Sequence, residues 1–174
     1  MSEAGLTDAG TLLATTHEAG DGLRVRLRLA RPSDALRVRD FLERVSPDAV
    51  PDTLVRRFTF QNPRERLVVA ATAPLAGGEQ VVGLAEVGFT GTGIADLGVV
   101  VDDRTRNRGV GKLLTEAVAS LAIQQGATHL RGELPEPDGP VVRLMERLGR
   151  TVRAVEDGRE VVYTKLPASR RKAA

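Results

Sequence analysis

Seven consecutive residues, Arg106-Asn107-Arg108-Gly109-Val110-Gly111-Lys112, carry the most legible chemistry in this chain. They lie between an apolar run, Ile94 to Val101, that reads as a strand, and an amphipathic stretch from Val110 that reads as a helix. A strand feeding a glycine-rich turn that opens a helix is an anion site. The first helical N–H groups have no partner within the helix, and its dipole puts partial positive charge at that end. Gly109 and Gly111 let the backbone approach a phosphate with no Cβ in the way. Arg106, Arg108 and Lys112 add positive charge, either on the phosphate or as solvated surface cations. The bland alternative is an ordinary strand-to-helix turn with glycines for packing.

Two common phosphate loops do not fit. A Walker loop needs glycine where Arg106 stands and Ser or Thr where Leu113 stands. The dinucleotide fingerprint needs a third glycine where Leu114 stands. What remains is R-x-x-G-x-G.

The elements that must position this loop follow from periodicity. Leu23 to Leu29 alternates apolar residues with arginine, as a half-buried strand does. Pro32 and Ser33 start a helix with Val38, Phe41, Leu42 and Val45 on one face, and a second helix covers Asp52 to Phe60. Leu67 to Ala73 and Gln80 to Phe89 read as strands joined across Gly77-Gly78. After Ile94 to Val101 the helix from Val110 carries Leu113, Leu114, Ala117, Val118 and Leu121 on one stripe and ends at Gly126. A strand from Thr128 to Leu134, a helix with Val141, Leu144, Met145 and Leu148, and a hairpin around Asp157-Gly158 complete the chain. The order is β-α-α-β-β-β-α-β-α-β-β, a mixed α/β class that does not alternate like a doubly wound nucleotide fold. Residues 1 to 22 read as a mobile N-terminal arm with a short helix at Thr11 to Thr16, residues 23 to 167 as one domain, and 168 to 174 as a basic tail.

Composition narrows the function. The absence of cysteine excludes disulfides, cysteine-ligated metal and a thiol nucleophile, and makes the cytoplasm the simplest location. His17 and His129 are too few and too far apart to suggest a metal site, and no serine sits in a G-x-S-x-G elbow. No apolar run reaches the 18 or so residues that span a membrane, and the N-terminus does not read as a signal peptide. The net charge is only +2 and aromatics are 3%, which speaks against nucleic acid, with Arg170, Arg171 and Lys172 as a solvated end. The oligomeric state is open, a homodimer included.

R-x-x-G-x-G resembles the coenzyme A pyrophosphate loop of the GNAT superfamily of N-acetyltransferases, and the element order over residues 23 to 166 is similar to that fold. The likeness is strongest from Ala95 to Gly149. Ala95-Asp96-Leu97-Gly98-Val99-Val100-Val101-Asp102-Asp103, and Ser46-Pro47 ahead of Arg57-Phe58, look most like the bacterial protein-lysine acetyltransferases of the Pat type. The resemblance implies a GNAT-like fold: a central, mostly antiparallel sheet with splayed strands, flanked by helices. It implies acetyl-CoA as cofactor, with backbone N–H groups of residues 106 to 111 on the pyrophosphate and Val99, Val100 and Val101 holding the pantetheine arm. The acceptor is then a primary amine, on a small molecule or a protein lysine.

An amine is protonated at neutral pH and must lose a proton before attack, so a carboxylate in the cleft is expected. Asp96 stands at the Pat-type glutamate position, and its shorter reach favours a water relay. Glu86 lies among apolar neighbours, where a carboxylate needs a reason. Either is a candidate base, and either could instead be a salt-bridged acid. Many GNAT enzymes carry a tyrosine acid where this chain has Met145; the single tyrosine, Tyr163, sits on the last strand with no sequence reason to face the thioester. That departure keeps a second reading open, a non-catalytic acyl-CoA-binding domain of the same fold.

Overall fold

The computed structural model describes residues 6–137 and 139–168. The basic tail beyond 168 and Asp138 fall outside the described residues.

Eight strands form one sheet in the order β1-β2-β3-β4-β5-β6-β8-β7. They are β1 (Thr16–Glu18), β2 (Arg24–Leu29), β3 (Arg66–Leu75), β4 (Gly78–Phe89), β5 (Ile94–Val101), β6 (His129–Glu133), β7 (Thr151–Glu156) and β8 (Arg159–Lys165). Every neighbouring pair is antiparallel except β5 and β6. The mixed α/β class with a mostly antiparallel open sheet is therefore as the sequence predicts. Arginine alternation in β2 places Val25 and Leu27 inside and Arg24 and Arg26 in water. In β3, by contrast, Leu67 through Ala73 are all buried, because both faces of this central strand are covered.

Two layers cover the sheet. Helices α2 (Ala35–Val45) and α3 (Asp52–Thr59) pack Val38, Phe41, Leu42 and Val55 against Val68, Ala70 and Leu84 on one face. On the other, α4 (Val110–Gln124) and α5 (Pro140–Leu148) cover Val69, Ala71, Val87, Ala95 and Leu130. The expected stripe of α4 is buried except for Leu113, which is half-buried, and Thr115, Ala119, Ser120 and Ala122 beside it are buried too.

The extra burial has a cause in the segment expected to be an arm. Ala9 and Leu12 of α1 (Ala9–Ala14) are buried in the same core, and α1 lies along α4. Strand β1 then adds to the sheet edge beside β2. The helix lies two residues N-terminal to the expected Thr11 to Thr16, and packing extends well before residue 22. Six residues are too few for a helical period to show, so the sequence hid this packing.

One irregularity matters most. Parallel pairing between β5 and β6 runs from Ile94↔His129 to Leu97↔Gly132 and stops there. Strand β5 continues to Val101 with β4 alone as partner, through Gly83↔Val101. Residues 98–101 thus border a fork in the sheet, and the chain leaves that fork into the Arg106 to Lys112 segment.

Candidate active site

The loop is pinned at its start by a buried carboxylate. The Asp102 side chain accepts from the Arg104 backbone N–H at 3.0 Å and from Arg104 Nη2 at 2.8 Å. Arg44 of α2 reaches the same carboxylate through Nε at 3.2 Å and donates from Nη2 to the Val81 carbonyl at 2.8 Å. These bonds, Arg104's first, hold the Asp102 carboxyl down to about 2 against the opposing effect of burial. A short 3-10 turn, Asp103–Thr105, follows.

Asn107 and Gly109 then adopt left-handed backbone, with φ of 59° and 88°. Asparagine tolerates that region and glycine enters it without steric cost. Gly109 is the N-cap of α4 and supplies no side chain to cap it. Among the described residues, the N–H groups of Gly109, Val110, Gly111 and Lys112 donate to nothing; the first bonded one is Leu113, to the Gly109 carbonyl at 3.1 Å. Open N–H groups and the positive end of a 15-residue helix make an anion site. Gly111 faces Leu144 and Val101, where a Cβ would meet their methyl groups at 3.5 and 3.7 Å.

The three cations expected near phosphate all have carboxylate neighbours here. Arg106 pairs with Asp103 at 2.6 Å and is 65% exposed, Arg108 lies 3.7 Å from Asp21, and Lys112 lies 3.9 Å from Glu116. Such exposed pairs are weak, so each cation remains available to a phosphate.

Val99 and Val101 pack against the α4 core, whereas Val100 points to the opposite face and is 40% exposed. An exposed valine in the middle of a sheet follows directly from the missing β6 neighbour.

The candidate acids sit on the face that carries α2 and α3. Asp96 is in register with Gly88 of β4 and Arg131 of β6, and Arg131 in turn with Tyr163 of β8. Cross-strand partners share a face, so these side chains form a row one step before the fork. Arg131 Nη1 donates to Asp96 Oδ1 at 3.2 Å, and the Asp96 side chain is 47% exposed. Arg131 also holds Glu156 through Nε at 2.9 Å and Nη2 at 2.7 Å, and Glu133 lies 3.5 Å from Nη2. The Tyr163 hydroxyl donates to the other oxygen of Glu156. That bond holds the Glu156 carboxyl below, and the Tyr163 phenol above, their ordinary values. Tyr163, given no part by its sequence position, is thereby linked through Glu156 and Arg131 to Asp96.

Glu86 is opposite Gly98, at the fork itself. A Cβ on Gly98 would lie 3.2 Å from Glu86 Cγ, so the glycine leaves room for Glu86 to lean across β5. Its carboxylate is bound by Arg57 Nη2 at 2.7 Å and Arg66 Nε at 3.3 Å, and is 15% exposed. The two acids are diagonal neighbours, about 7–8 Å apart by strand geometry. Both are ion-paired, but Asp96 is the more open and holds the fewer partners.

Met145 is fully buried. It packs under β6, where its methyl would meet a Cβ on Gly132 at 3.7 Å. It offers no proton to the fork.

Sequence reasoning passed over Arg131, Glu156 and Arg66, and quoted Arg57 and Asp102 only as marks of the resemblance, with no role. Arg131 lies on β6 and Glu156 at the end of β7, 25 residues apart in sequence, and only the fold brings them together. Asp102 alone had a signal: an acid directly after an apolar strand and two residues before Arg104, a spacing typical of local side-chain capping.

Comparison with known proteins places these features in context. A family model described as the acetyltransferase (GNAT) family matches residues 35–149, which spans the fork, the loop and α5. No curated protein sequence matches the chain. Among solved structures, the GNAT domain of S. lividans PAT superposes with a TM-score of 0.74 at 23% identity, covering 87% of this chain and 96% of that one. A GNAT-family acetyltransferase from Streptococcus pneumoniae gives 0.61 at 19% identity, over 82% and 99% of the two chains. Arabidopsis thaliana NAA60, solved with a bisubstrate analogue, gives 0.61 at 14% identity, over 82% and 99%. At these identities the structural likeness speaks for the fold.

Proposed function

Because the chain belongs to the acetyltransferase (GNAT) family, we propose that it moves an acetyl group from acetyl-CoA to a primary amine, with a protein lysine as the acceptor. The observation that carries this reading is the run of four open N–H groups, Gly109 to Lys112, at the end of a strand whose residues 98–101 lack a partner on the fork side. The loop suits a pyrophosphate. The fork suits an extended thioester arm, with the free backbone of 98–101 along it and Val100 as an apolar wall. Lysine as acceptor is supported by the Ala95 to Asp103 segment, which resembles the Pat type, and by the likeness to the S. lividans PAT domain.

Acetyl-CoA supplies an activated acetyl thioester. The remaining work falls to the chain. The acceptor arrives as an ammonium ion, and Asp96 takes its proton, directly or through one water, so that the nitrogen lone pair can attack the thioester carbon. Arg131 keeps the Asp96 carboxylate turned toward the row, and Glu156 and Tyr163 hold Arg131 from behind. The C–N bond would form as the C–S bond breaks, the thiolate leaving with the electron pair and the second nitrogen proton passing to it or to water. A thiol with a pKa near 8.5 leaves as thiolate without a dedicated acid, consistent with a buried Met145 at the tyrosine position.

The alternative, an acyl-CoA-binding domain without catalysis, draws on that same Met145 and on the arginine pairing of both acids. A lysine-peptide array incubated with acetyl-CoA and read by mass spectrometry separates the two. Acetylated lysines in the parent support transfer. Binding of acetyl-CoA with no acetylated product on any peptide or small amine would favour the second reading.

A further inference from the structure

We infer that residues Thr7 to Gly22 form a strap that positions the pyrophosphate loop, with Gly20 as the positioning residue. The inference rests on the coenzyme A reading above and adds a part to that site. The strap lies outside the family match, which begins at residue 35.

The strap grips α4 from both ends. At the far end the Thr7 carbonyl accepts from Ser120 Oγ at 2.6 Å, and Gln124 approaches the Asp8 carboxylate at 3.5 Å. Leu12, 3% exposed, anchors α1 in the α4 core. The chain then turns into β1 and is fixed by pairing with β2 from Thr16↔Arg26 to Glu18↔Arg24. A tight turn follows at Gly20–Gly22, closed by the Ala19 N–H on the Leu23 carbonyl at 2.7 Å, with Asp21 at φ 60°.

At that turn the Gly20 N–H donates to the Arg108 carbonyl at 2.8 Å, and the Asp21 carboxylate lies 3.7 Å from Arg108 Nε. Arg108 directly precedes the N-cap of α4. Its carbonyl and the Gly109 N–H belong to one planar trans peptide and point in opposite directions. Fixing the carbonyl toward the strap therefore aims the Gly109 N–H away from it, and that N–H donates to nothing among the described residues. The contact is tight for a side chain: a Cβ on Gly20 would sit 3.2 Å from Arg108 Cα and 3.4 Å from Arg108 Cβ, so Arg108 would have to give by a few tenths of an ångström. So Gly20 orients the first donor of the open run.

The test is Gly20→Val, with Gly20→Ala as the milder push. Acetyl-CoA binding is measured by calorimetry, steady-state rates by thiol release, and folding by thermal denaturation. The dissociation constant and the KM for acetyl-CoA should rise about tenfold in Gly20→Val and a few-fold in Gly20→Ala, the scale of one hydrogen bond. The kcat at saturating acetyl-CoA and the KM for the amine should stay within about twofold. Folded variants that bind acetyl-CoA as tightly as the parent would overturn the strap's role while leaving the coenzyme A reading intact. So would a joint fall in kcat and melting temperature with unchanged affinity. A parent that binds no acetyl-CoA would refute the coenzyme A reading itself, and the strap's role with it.

Discussion

Asp96 and Glu86 are both bound by arginine, yet only one is free to change partners. Glu86 is held between Arg57 and Arg66 and largely covered, whereas Asp96 has one 3.2 Å bond and nearly half its side chain in water. Asp96→Asn should therefore lower turnover by roughly 10²–10⁴-fold with little change in acetyl-CoA affinity. Glu86→Gln is the matched comparison, and a larger loss there would hand the proton to Glu86. Met145→Leu should keep activity within a few-fold, because it conserves volume in a buried site and costs under about 1.5 kcal/mol; steady-state rates check this, and a collapse would give Met145 a part in the chemistry. At this scale the sequence was informative where a residue's role is local. Gly109 was legible as a place where the backbone can approach an anion, and it takes φ 88° there; the left-handed Asn107 beside it was not foreseen. Arg131 was illegible, because an arginine in an alternating strand is ordinary until β5, β6 and β8 are laid side by side.

Helix α4 has an open N-terminus, the proposed seat of the pyrophosphate, and its glycines separate folding from binding. Gly109 has φ 88°, so any side chain there is strained. Gly111 has ordinary backbone and open contacts at 3.5 Å or more. Gly111→Asp places a carboxylate in the first helical turn, where the dipole favours it and the fold is kept. The same charge opposes a pyrophosphate, so acetyl-CoA affinity should drop by a factor of ten or more in calorimetry. Unchanged affinity in the folded variant would move the phosphate site elsewhere. Element boundaries were legible wherever a period was long or a breaker sharp. Strand Ile94 to Val101 is as expected, and α4 begins at Val110. The fork was not derivable from periodicity, since it depends on β6 ending after five residues at Leu134-Pro135 while β5 runs on. The short helix α1 was expected two residues late, at Thr11 to Thr16, and its packing on the core went unseen because it is too brief to show a period.

Across the whole molecule, Asp102 is where the layers meet. Its carboxylate joins α2 through Arg44, the sheet through Arg44's bond to Val81, and the loop through Arg104. Because its folded pKa of about 2 lies below the ordinary value near 3.9, these ion pairs stabilise fully above about pH 4 and fade as pH falls toward 2. Asp102→Asn should cost on the order of 2 kcal/mol at neutral pH in denaturant unfolding, and the gap from the parent should close across that acid window. A gap that stays constant down to pH 2 would make the contribution one of packing instead. Such a brace holds the fork and the loop as one frame, and acetyl transfer is proposed to occur in that frame. The most direct measurement is the rate of thiol release from acetyl-CoA in the presence of a lysine peptide, compared between the parent, Asp96→Asn and Gly111→Asp. An acetyltransferase working in this frame gives amine-dependent release in the parent, a loss of kcat in Asp96→Asn, and a raised KM for acetyl-CoA in Gly111→Asp. Release that is independent of the amine, or equal in all three proteins, would contradict it.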